Sequence, residues 1–161
     1  MENIIFALIS VIALIIVISI HEFCHALAAD KLGDPTPRAY GRLTLNPLAH
    51  IDPLGTIILP LFSVLTGLPV LGWAKPTPID PYNFRHPRRD EIFVALAGPL
   101  SNFLLAFIFS RFPGSIAYFI TSLSLYLGIF NLFPIPPLDG SKILLNILPL
   151  DTSLKLQEAF E

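Results

Sequence analysis

From Ile4 to Ile20 the chain is almost wholly apolar, and no proline or glycine interrupts it as far as Ala29. That run predicts one long helix over about residues 4–29, enough at roughly 1.5 Å per residue to cross a hydrocarbon core of about 30 Å. A polar, turn-rich stretch follows, "DKLGDPTPRAYGRLTLNPLAHIDPLG", within which "RAYGRLTL" has strand character. The next apolar segment, "TIILPLFSVLTGLPVLGW", carries Pro60, Gly67 and Pro69. It therefore reads as a re-entrant or broken segment packed against protein. A second polar loop, "AKPTPIDPYNFRHPRRDE", precedes two clearer spans, "IFVALAGPLSNFLLAFIFS" and "SIAYFITSLSLYLGIFNLF", joined by "RFPG".

The expected fold is an all-α integral membrane protein. It has about three full transmembrane helices, a re-entrant or broken segment, and short β elements at the cytoplasmic side. Residues 1–150 form one core and residues 151–161 a polar, weakly amphipathic tail. Met1-Glu2-Asn3 lacks the basic start of a secretory signal, so the first helix is expected to be retained.

Composition agrees with this pattern. Hydrophobic residues make up 53% of the chain and charged residues only 14%, with a mean hydropathy of +0.69; soluble domains lie nearer a quarter charged. The net charge of −2 is uninformative, and no basic tract points to nucleic acid, so none is expected as a partner. Cys24 is the only cysteine, which rules out an intrachain disulfide and a multi-cysteine metal cluster. Lys31, Arg38 and Arg42 fall in the first polar loop and Lys75, Arg85, Arg88 and Arg89 in the second, whereas Arg111 stands alone in the last hairpin. The positive-inside tendency then places both loops in the cytoplasm and the N-terminus outside.

Within the first helix the run ends in "HEFCH". His21 and His25 are four apart, so their imidazoles share one helix face and can meet at one metal ion. Glu22 points about 100° around the helix, where it reaches a water rather than the metal, as a general base must. An interface role for two histidines and a glutamate is costly in lipid, at about 2.5–3.5 kcal/mol for a central charge. A catalytic zinc usually has three protein ligands. Candidates for the third are His50, His86, Cys24, Asp52 and Asp139. Asp139 stands out because Pro134, Pro136 and Pro137 break the last apolar segment just before it, and an acid at such a break is a functional candidate. Its other reading is an N-cap for "GSKILLNIL".

"HEFCH", "NPLAHIDPLGT", "GWAKPTPID", "RRDEIFVALAGPLSN" and "FNLFPIPPLDG" together resemble the site-2 protease family of intramembrane zinc metalloproteases, in its compact prokaryotic branch. The resemblance implies His21, His25 and Asp139 as ligands of one Zn²⁺ per chain, with Glu22 as the base. Asn131 would hold the substrate or polarise its carbonyl; its other reading is a helix–helix hydrogen bond. His50 and Asn102 also fall in family motifs and are expected to line the site. Gly98, with Ala95 and Ser101, gives a small-residue face for close helix packing. Many relatives continue with a further apolar helix, so the chain is expected to be naturally short or truncated.

The implied function is regulated intramembrane proteolysis at the prokaryotic inner or plasma membrane, with the site toward the cytoplasm. The partners are the lipid bilayer and a transmembrane segment of a substrate, and self-association stays open. "RAYGRLTL" or "GWAKPTP" could pair with an unwound substrate as an added strand. The alternative is a non-proteolytic zinc-binding membrane protein, such as a carrier or inactive adaptor.

Overall fold

The computed structural model describes residues 2–68 and 72–160. Helix α1 spans Glu2–Leu32 and ends where Gly33 turns the chain with φ +112°. A short helix, α2 (Thr36–Ala39), opens the first polar loop. The π-helical turn Pro53–Ile58 then runs into α3 (Leu59–Thr66). Helices α4 (Pro87–Phe109), α5 (Ser115–Asn131), α6 (Asp139–Ile147) and α7 (Leu150–Phe160) complete the order. Helix α4 is central and packs against α1, α5 and α6.

Two expectations are overturned. No β-strand occurs among the described residues. "RAYGRLTL" folds instead into α2 and tight turns, with the Arg42 amide bonded to the Pro37 carbonyl and Gly41 at φ +67°. The Arg42 side chain is buried, and its guanidinium donates to the carbonyls of Ala49 and Lys75. The Arg42 amide, which a strand would offer to a neighbour, is thus used locally. The count of three full spans is also wrong. Among the described residues, only Leu8–Leu32 and Pro87–Phe109 are long and apolar enough to cross a membrane. Helix α5 has 17 residues, or about 25 Å. Gly114 limits it at one end and the run from Pro134 at the other, since proline removes the donor and clashes with the preceding turn. The segment expected to re-enter is helical only as far as Thr66, and Pro69 lies outside the described residues.

The packing is polar within and apolar without. Ala13, Leu14, Val17 and Ile18 of α1 form a core with Leu123 of α5. Ser10, Ser19, Ser101, Asn102 and Ser124 are also buried. By contrast Leu8, Ile12 and Ile16 of α1 and Leu100, Leu104 and Phe107 of α4 face outward. Several hydroxyls are satisfied within their own helices, as where Ser19 donates to the Ile15 carbonyl and Thr121 to that of Ala117.

Candidate metal centre

The helical spacing of His21 and His25 puts both rings on the α1 face that meets α4. Gly98 makes that approach feasible, because a Cβ there would fall onto His25 Nε2 and lie 2.6 Å from His21 Nε2. Ala95 and Ser101 are buried on the same stretch of α4. Asp139 arrives from the opposite end of the chain. The prolines stop α5, the chain turns through Leu138, and Asp139 is the first residue of α6 with no capping bond from its N-cap position. Gly140 permits this turn, since a side chain there would collide with the Leu132 carbonyl.

Three buried atoms converge as a result. His21 Nε2 and His25 Nε2 are 3.0 Å apart, and each lies 3.2 Å from Asp139 Oδ2. Despite these distances Oδ2 takes no aligned hydrogen bond. A tetrahedral zinc with bonds of about 2.0–2.1 Å needs ligand–ligand edges of roughly 3.3 Å, so two imidazoles and a carboxylate in this triangle fit the ion. The outer ring nitrogens support the same conclusion. His25 Nδ1 lies 2.7 Å from the Val94 carbonyl, an acceptor only, so the proton sits on Nδ1 and Nε2 keeps its lone pair. His21 Nδ1 lies 3.1 Å from Nδ2 of Asn102, which is fully buried and whose Oδ1 has no partner. When His21 binds metal through Nε2, its Nδ1 carries a proton, which Oδ1 can accept once the Asn102 amide is turned end for end.

The triad borders a cavity of about 460 Å³ that also reaches Glu22, Thr77, Asn131 and Lys142. Glu22 Oε2 accepts two hydrogen bonds from Thr77, one from its amide at 2.8 Å and one from its hydroxyl at 2.8 Å. Asn131 lies on the cavity wall and donates to the Leu127 carbonyl of its own helix, not to another helix.

Other candidates lie elsewhere. His50 is buried, but it is not among the cavity-lining residues, and its Nε2 pairs with the Thr44 carbonyl. Asp52 caps the π-helical turn through the amides of Leu54 and Gly55. His86 is exposed just before α4, and Cys24 is half-buried on α1. Thr77 carried no role in the sequence reading. Its signal was there in "PTP", where it supplies the only backbone N–H between two prolines.

The comparisons with known proteins agree with this geometry. The model of peptidase family M50 matches residues 110–160, which include Asn131 and Asp139. YwhC of Bacillus subtilis, described as a candidate zinc metalloprotease, is 38% identical over 92% of this chain and 73% of its own length. That coverage takes in the histidines as well as the aspartate. The chain belongs to peptidase family M50, the site-2 protease type of zinc metalloprotease. Rip2 of Mycolicibacterium smegmatis, with the same description, is 34% identical over 75% of this chain, which spans 50% of Rip2. MJ0611 of Methanocaldococcus jannaschii shares 47% identity over 32% of this chain and 31% of its own. No solved structure matches the chain significantly. This M50 chain thus has a buried His–His–Asp triad able to coordinate a metal ion.

Proposed function

We propose that this M50 chain is an intramembrane zinc endopeptidase that cuts transmembrane segments of other membrane proteins. The observation that carries the reading is the convergence of His21, His25 and Asp139 beside Glu22 in a cavity bounded by apolar helices. Zinc held by the triad would acidify water and polarise a carbonyl. Glu22 takes the proton of the attacking water on its carboxylate and passes it to the leaving amide nitrogen. Val94 holds the His25 imidazole in the tautomer that ligation requires, and Asn102 does the same for His21 with its amide turned so that Oδ1 faces Nδ1. A helical substrate hides its carbonyls in hydrogen bonds, so it enters the cavity locally unwound, with Asn131 on the wall to hold its backbone.

The lipid-facing side chains of α1 and α4 support an inner- or plasma-membrane location, and the basic residues of the two polar loops support a cytoplasmic orientation. Residues 1–150 would be the protease core, carrying the whole site, with 151–161 appended to it.

The test uses purified chain in lipid nanodiscs with a membrane-embedded test substrate. Glu22→Gln should keep one zinc per chain and lose cleavage by at least 100-fold, in the range expected for a general base. Cleavage by the variant at the wild-type rate would refute the mechanism. Zinc binding without cleavage by the wild type would favour a zinc-binding carrier or adaptor.

A further inference from the structure

Residues 72–80, "GWAKPTPID", form an irregular strap that borders the cavity and meets α1 at Glu22. The first polar loop anchors this strap from behind. Trp73 N–H donates to the Gly55 carbonyl at 3.1 Å, Lys75 N–H to that of His50 at 3.0 Å, and the Thr56 hydroxyl to that of Trp73 at 2.8 Å. Pro76 and Pro78 fix φ at their own positions and keep Lys75 and Thr77 extended. They also leave Thr77 as the only amide donor of the three.

From this strap we infer that Thr77 is a positioning residue for Glu22 in the proposed reaction. Its amide and hydroxyl both reach Oε2 at 2.8 Å, while the Glu22 carbonyl is farther from the hydroxyl at 3.2 Å. A hydroxyl has a single proton, so the shorter contact to the charged carboxylate takes it. Two donors on one oxygen hold the carboxylate in a single orientation, and Oε1 receives no bond from Thr77. Proton transfer then falls to Oε1, and the base does not have to search rotamers while substrate is bound. Thr77 itself is almost fully buried. The Arg42, His50 and Thr56 contacts hold the strap in place from behind.

This inference rests on the proteolytic reading, and two measurements separate their failures. In the nanodisc assay Thr77→Val, which matches threonine in shape, should lower kcat by about 10-fold or more while KM and zinc content stay near wild type. Thr77→Ser, which restores the hydroxyl, should return kcat to within about threefold of wild type. A wild-type kcat for Thr77→Val would overturn the inference, as would a serine variant no better than the valine one. The second measurement is amide hydrogen exchange of the 72–80 strap in metal-free protein, which needs no cleavage. Glu22→Ala should speed exchange at Thr77 and leave Trp73 and Lys75 protected; unchanged Thr77 exchange would also overturn it. If exchange responds while the wild type cleaves nothing, the tether stands and the proteolytic reading fails.

Discussion

At the scale of single residues, the site depends on where two imidazole protons sit. Each Nε2 can meet a metal ion only with its proton on Nδ1, and each Nδ1 faces a group from α4, the Val94 carbonyl or the Asn102 amide. Partners of this kind typically account for 10–100-fold in metal affinity. Asn102→Leu keeps the volume but removes the acceptor, so chelator competition should show zinc bound roughly 10–100-fold more weakly. Unchanged zinc affinity would show that Asn102 only packs. The sequence pointed to His21 and His25 because H-E-x-x-H is set by helical spacing alone, and to Asp139 because prolines mark the break before it. It left Asn102 without a role, since that residue meets His21 only through the packing of α4 on α1. His50 was expected near the site for its motif, yet its buried ring supports the loop behind the strap.

At the scale of elements, long helices were legible and short connections were not. The α1 and α4 spans follow from uninterrupted apolar runs. The strand expected in "RAYGRLTL" failed because its alternation is only a few residues long and Gly41 and Arg42 have stronger local uses. The span expected at 115–133 came out short because its last residues turn toward the prolines. The polar loops are pinned to each other at Asp34, which is wholly buried and accepts from the Thr36 and Asp80 amides and the Asn83 side chain. Burial works to raise its pKa, but these hydrogen bonds outweigh it and hold the carboxyl below the ordinary aspartate value. A lowered folded-state pKa means stability that is present above the unfolded value of about 3.9 and is lost as pH falls through the folded value. Asp34→Asn should therefore destabilise the protein by about 1–3 kcal/mol at pH 7, read as a lower thermal midpoint. That gap should narrow in acid, below about pH 4. A gap that is constant with pH would mean that the charge of Asp34 does not matter.

At the scale of the whole molecule, the arrangement is a polar centre wrapped in outward apolar side chains. The helices turn Ile, Leu and Phe outward and keep serines, Asn102 and the triad inside. An aqueous surface would penalise such an exterior, whereas lipid does not. Membership of family M50 and the triad agree with this layout, and the zinc centre is the claim on which the proposed chemistry depends. X-ray absorption at the zinc edge of the purified, zinc-loaded chain tests it most directly. Two nitrogens at about 2.0–2.1 Å and carboxylate oxygen at about 2.0–2.2 Å are predicted, with the oxygen contribution diminished in Asp139→Ala. A sulfur shell near 2.3 Å, which only Cys24 or Met1 could supply, or a spectrum unchanged by that substitution, would contradict the account.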